Sequence, residues 1–101
     1  MSYVILTSKP GVFRTEWGEG LAPVDAYEYL CAGRLKARFV IARLEAATRI
    51  RIVDEAPPPV TNDVPTKFLP TFASVEKALS ELRQLARKGG GDDYVLRQVP
   101  C

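Results

Sequence analysis

Hydrophobic positions along this chain change their period once. Between residues 3 and 54 they come in short β-branched runs and two-residue alternations, whereas from residue 75 they recur every three or four positions. The run Tyr3-Val4-Ile5-Leu6-Thr7 predicts a strand, and Val12-Phe13-Arg14-Thr15-Glu16 predicts a second. Pro10-Gly11 between them is a turn signal, which suggests a hairpin. Trp17-Gly18-Glu19-Gly20 then interrupts regular structure. Residues 24–31 read two ways: Val24, Tyr27, Leu30 and Cys31 share a helical face, while Tyr27, Tyr29 and Cys31 alternate as in a strand. The reading leans toward a short helix or helical turn, ended by Gly33.

The clearest pairing pattern joins Lys36 to Leu44 with Thr48 to Asp54 across Glu45-Ala46-Ala47. A hairpin with that loop puts Leu44 opposite Thr48, Ala42 opposite Ile50, Val40 opposite Ile52 and Arg38 opposite Asp54. One face is then mostly apolar. The other carries Phe39, Ile41 and Val53 with Arg43, Arg49 and Arg51, so the sheet is expected to be covered on both sides with arginines at a rim or edge.

Residues 55–73 form a proline-rich connecting segment, and five of the eight prolines lie between Pro57 and Pro70. Proline fixes φ and removes a donor, so this segment is expected neither to continue a ladder nor to join a helix. Val64, Phe68 and Leu69 imply that it packs on something, either a partner or its own core beneath a helix. That helix is predicted over residues 75–88, where Val75, Ala78, Leu79, Leu82, Leu85 and Ala86 form one stripe behind an N-cap at Ser74. Glu76 suits the positive end of the dipole, and Arg83, Arg87 and Lys88 the negative end. Lys77 and Glu81 are spaced for an ion pair. Gly89-Gly90-Gly91 should stop the helix, with a last strand over 94–99. The expected fold is a single α+β domain over 1–101: a small antiparallel β-sheet around residues 36–54, flanked by the N-terminal strands, with one C-terminal amphipathic helix packed on it.

Composition narrows the chemistry. The 101 residues include 47% hydrophobic and 26% charged side chains, as in a globular domain. There is no histidine, which removes the commonest general base and zinc ligand. Two cysteines cannot furnish a four-thiolate cluster or zinc site within one chain. No catalytic, cofactor-binding or metal residues are therefore assigned, and the chain is expected not to be an enzyme. Gly89-Gly90-Gly91-Asp92-Asp93 follows a helix instead of opening one and lacks the lysine of a phosphate loop. The carboxylate pairs Asp54-Glu55 and Asp92-Asp93 border loops and read as solvated. Cys31 and Cys101 read as reduced thiols. The N-terminus lacks the pattern of a secretory signal and no run suits a bilayer, so cytoplasmic residence without membrane contact is expected.

A formal charge of +2 gives no general field for nucleic acid. The basic set Arg34, Lys36, Arg38, Arg43, Arg49 and Arg51, near Tyr29 and Phe39, nevertheless makes single-stranded nucleic acid the second choice of partner. A larger protein partner ranks first. The stiffened proline segment loses little entropy on docking, and Trp17 is a rigid aromatic between glycines. The expected contact residues are Trp17, Arg43, Arg49, Arg51, Phe68 and Leu69.

The stretches from Ser2 to Glu16 and from Val53 to Pro65 resemble parts of small bacterial accessory proteins, of the kind encoded beside nitrogen-fixation genes. The resemblance assigns no functional residue. It implies a small cytoplasmic helper that binds and modulates or protects a larger enzyme, including a redox enzyme, without being a ferredoxin itself.

Overall fold

The structure, a computed structural model, describes residues 1–90 and 93–101. Its elements are β1 (Ser2–Ser8), β2 (Phe13–Glu16), β3 (Leu21–Cys31), β4 (Arg34–Leu44), β5 (Arg49–Asp54), β6 (Thr61–Pro65), α1 (Val75–Gly90) and β7 (Tyr94–Val99). They form two antiparallel sheets, one ordered β1-β4-β3-β7 and the other β2-β5-β6. The expectation of one small sheet with a helix is corrected: the chain is mostly strand, in two sheets, with one helix among the described residues.

The alternation along β4 explains the layering. Ala37, Phe39 and Ile41 point to one side, where they meet Tyr27, Tyr29 and the helix residues Ala78, Leu82 and Ala86. Val40, Ala42 and Leu44 point to the other, where they join Val4, Leu6 and Leu21 against Ile50, Ile52 and Val64 of the second sheet. The four-stranded sheet is thus covered on both faces, as its two-sided apolar pattern suggested. Ile41, Leu82 and Val4 are fully buried, each stabilising the fold by about 1.5–3 kcal/mol through removal from water.

The expected 36–54 hairpin does not form, because β4 has no free edge. It pairs with β1 on one side, Val4 facing Ala42, and with β3 on the other, Tyr27 facing Phe39. Arg38 lies opposite Ser8 and Glu28 instead of Asp54, and Ile50 lies opposite Val64. The presumed loop is held elsewhere. Glu45 and Ala46 donate their backbone N–H groups to the Gly20 carbonyl at 2.8 and 3.3 Å. The Thr66 hydroxyl accepts from the Thr48 N–H at 3.1 Å and donates to the Thr48 carbonyl at 3.0 Å. These bonds carry the chain from one sheet to the other.

Residues 24–31 belong to β3, so the helical alternative is corrected in favour of the tyrosine alternation. A shift of register between Pro23 and Asp25 accommodates the proline, which cannot donate to a ladder. Ala32-Gly33 is the two-residue turn joining β3 to β4, both residues having positive φ, 50° and 77°. Alanine is strained there, and no neighbour lies close to the glycine. Ala32→Gly should accordingly stabilise the fold by about 0.5–1 kcal/mol, read as a higher urea midpoint at unchanged slope.

The proline segment is also corrected. Residues 61–64 carry no proline, and they enter a ladder as the edge strand β6, with Pro65 at its end opposite Arg49. A 3-10 turn, Thr66–Phe68, follows. The Pro10-Gly11 turn forms, with Val12 and Phe13 N–H groups on the Lys9 carbonyl, but its strands enter different sheets. Buried Thr15 joins them: its N–H reaches Ser8 Oγ at 3.0 Å, and its hydroxyl donates to the Thr7 carbonyl.

Ser74 caps α1, accepting from the Lys77 N–H at 3.1 Å. The helix runs through Gly89 and Gly90 instead of stopping at them, and Gly91 and Asp92 lie outside the described residues. The Tyr29 hydroxyl donates to the Ala86 carbonyl at 3.0 Å, pinning the helix end to β3. A side chain at Gly89 would meet that hydroxyl at 3.1 Å. No ion pair joins Lys77 and Glu81. No described helix is long and apolar enough to cross a membrane.

Candidate functional site

Three of the six expected contact residues come together. Antiparallel pairing puts Arg51 between Glu16 and Asp63 across the outward face of the second sheet, with Arg49 two residues away on the same side. Trp17, directly after β2, packs its ring against the inter-sheet core and remains half-exposed. Trp17, Arg49 and Arg51, with Glu16, Gly18 and Asp63, line a recess of about 380 Å³. Arg51 is 3.4 Å from Asp63, while Arg14 pairs with Glu16 at 3.1 Å. Arg49 makes no ion pair among the described residues.

Trp17 also borders a second recess of about 420 Å³, lined by Pro23, Ala26, Val40 and Val99 and closed by Glu28 and Arg38. Its lining comes from β3, β4 and β7 of the four-stranded sheet. Glu28 sits between Arg38 and Arg97. The Arg97 hydrogen bond, reinforced by the charges of both guanidinium groups, holds the Glu28 carboxyl below its ordinary range against a smaller opposing effect of burial. The tryptophan is therefore shared by a charged hollow and an apolar one.

The other expected residues lie apart. Arg43 is on β4 in the other sheet, on the side of Phe39 and Ile41, with its Nη2 on Glu45 at 2.9 Å and its Nε buried without a hydrogen-bond partner. Phe68 is 69% exposed, and the Lys67 ammonium stands 5.2 Å from its ring centre. Leu69 packs into the inter-sheet core. Of the two roles considered for this pair, Leu69 plugs a core, although not the one under the helix, and Phe68 plugs none.

The basic hairpin proposed for nucleic acid loses its premise, since Arg34, Lys36, Arg38 and Arg43 belong to one sheet and Arg49 and Arg51 to the other. Carboxylates also occupy Arg38, Arg43 and Arg51. Residues that sequence reasoning missed are the lining of the apolar hollow, Pro23, Ala26, Val40 and Val99, and the Glu28 cluster. They come from three strands whose adjacency no local pattern announces. No family model matches the chain, and neither the curated proteins nor the solved structures contain a match to it.

Proposed function

We propose that this chain is a non-catalytic binding protein that engages a larger protein through the surface around Trp17. The observation that carries this reading is the position of Trp17 on two adjoining hollows of opposite character. Tryptophan and arginine are among the residue types most enriched at interaction hot spots. Arg49, which pairs with no carboxylate among the described residues, suits an acidic group on the partner, and the Pro23, Ala26, Val40 and Val99 hollow suits an adjacent apolar side chain. The helper role implied by the resemblance is compatible with such a surface, which itself selects no particular enzyme.

Capture from a bacterial lysate on the tagged chain, after nuclease treatment and at low and high salt, tests the reading. Stoichiometric retention of one larger protein that survives high salt is expected, and Trp17→Ala should abolish it at a temperature where circular dichroism shows the variant folded, although loss of the ring from the inter-sheet core lowers its thermal midpoint. Arg49→Glu should weaken it by about tenfold or more, as expected when an opposite charge becomes a like one. Retention indifferent to Trp17→Ala, or retention only of nucleic acid that salt removes, would overturn the proposal.

A further inference from the structure

Each antiparallel sheet ends in two edge strands, and three of these four edges are closed or blunted. The outer edge of β1 is taken up by Phe72, which exchanges backbone bonds with Tyr3 at 2.9 and 2.8 Å, and by the Thr15 hydroxyl on the Thr7 carbonyl. β2 is bonded along its outer side to the Lys9 backbone and to Ser8 Oγ. β6 turns Thr61, Asp63 and Pro65 outward, because the bond from the Asp54 N–H to the Val60 carbonyl fixes the alternation, and proline supplies no donor. The fourth edge, β7, has none of these devices among the described residues. Its pairing with β3 runs from Tyr94 to Val99 without a shift of register, it contains neither proline nor lysine, and its one charged side chain, Arg97, is held by Glu28.

One hydrogen bond shows which backbone groups of β7 are free. The Ala32 N–H donates to the Asp93 carbonyl at 3.2 Å, one step beyond the pairing of Cys31 with Tyr94. Antiparallel ladders alternate bonded and non-bonded pairs, so Val95, Arg97 and Val99 turn their backbone groups to β3, and Tyr94, Leu96 and Gln98 turn theirs outward. No group among the described residues bonds to those three outward backbones. A row of unpaired donors and acceptors at the edge of a sheet is a template for another strand.

We infer that β7 pairs with β7 of a second copy of this chain, antiparallel about a two-fold axis through Leu96, so that two four-stranded sheets become one. Tyr94 then lies opposite Gln98 of the second copy and Leu96 opposite its counterpart, and each of these pairs exchanges both N–H···O bonds. The faces match as well. Tyr94 and Leu96 belong to the helix-side core, and Gln98, opposite Tyr27, is on the same side; on the other face Val95 meets Arg97. An axis through Arg97 would set two guanidinium groups against each other and bring Pro100, which has no N–H, opposite Tyr94. An axis through Val95 would carry Gln98 past the start of the facing strand at Tyr94. The edge is thus complementary to itself in one register, which favours a second copy over an unrelated strand. The pairing is independent of the proposed role of Trp17, whose partner is another protein.

Sedimentation and amide hydrogen exchange of the isolated chain at rising concentration test this. The mass should rise from 11.2 kDa toward twice that value. The Tyr94, Leu96 and Gln98 amides, fast to exchange in dilute solution, should become protected in step with it, while those of Val95 and Arg97 stay protected throughout. Gln98→Pro removes an outward donor and no bond to β3, so it should keep the spectrum of the dilute chain and remain monomeric. Val95→Lys, at a position 55% exposed, sets a cation opposite Arg97 of the second copy. It should raise the dimer Kd by about tenfold relative to Val95→Glu, which sets an anion there. A chain that stays monomeric to millimolar concentration, a dimer whose Leu96 amide remains open to exchange or that tolerates Gln98→Pro, equal Kd for the two Val95 variants, or pairing only with a strand of another protein would overturn the proposal.

Discussion

Gly20→Ala should lower the stability of the fold by about 3 kcal/mol, through two effects at one atom. Gly20 has φ of +96°, and a Cβ there would stand 3.1 Å from the Ala46 carbonyl oxygen and 3.1 Å from both Cβ and Cγ2 of Thr48. The left-handed conformation costs about 1–2 kcal/mol for a residue with a side chain. Crowding a packed position costs about 1–3 kcal/mol more. Relief by backbone movement would loosen the Gly20 carbonyl, which accepts from both Glu45 and Ala46. Urea unfolding should show a lower midpoint with an unchanged slope. Gly18→Ala is the matched control, because its φ is not positive and nothing lies within 4 Å of the added carbon. Equal midpoints for the two variants would mean that the crossover does not rest on Gly20.

Thr66→Val should cost about 2–3 kcal/mol although it preserves shape and buries no new volume. Thr66 is 2% exposed, and its hydroxyl serves both backbone groups of Thr48. With the hydroxyl gone, the Thr48 carbonyl keeps the bond from the Thr66 N–H at 2.9 Å. The Thr48 N–H, in a part-buried position, loses its partner, and an unsatisfied donor of this kind costs about 1–3 kcal/mol. Thr66→Ser retains the hydroxyl and should lose only the contribution of a methyl group, about 1 kcal/mol. Thermal or urea midpoints that rank Val below Ser below parent would support the assignment, whereas Val above Ser would assign the site to packing alone.

These two positions also explain why the fold was only partly legible in the sequence. Local signals were sound where the cause is local: the cap at Ser74, the stripe of α1 apart from Leu85, which is exposed, the Pro10-Gly11 turn and the last strand over Tyr94–Val99 all stand. Pairing failed where the cause is distant. Lys36–Leu44 and Thr48–Asp54 read as a hairpin because their faces match, yet a carbonyl at Gly20 and a hydroxyl at Thr66 redirect the connection. Alternation specifies which side of a strand is apolar and says nothing about which strand lies beside it. The proline-rich reading failed for a related reason, since a ladder tolerates a proline at the end of an edge strand, and Pro65 stands there. The candidate site shared this limit. Trp17, Arg49 and Arg51 meet through the β2–β5 and β5–β6 ladders, whereas Arg43 was joined to them by a hairpin that does not form, and Phe68 and Leu69 by the apolar character of the proline segment.

The two sheets are interleaved along the chain. β2, β5 and β6 form one sheet, and every strand before, between and after them belongs to the other. No contiguous half of the sequence can close either layer, so productive folding depends on contacts between distant segments such as Phe13 with Asp54 and Ala26 with Val99. Such topologies fold on the slow side, in about milliseconds to seconds. The charged hollow is built on β2, β5 and β6 and the apolar one on β3, β4 and β7, with Trp17 lining both, so a partner that needed the two together would distinguish the finished molecule from its half-assembled forms.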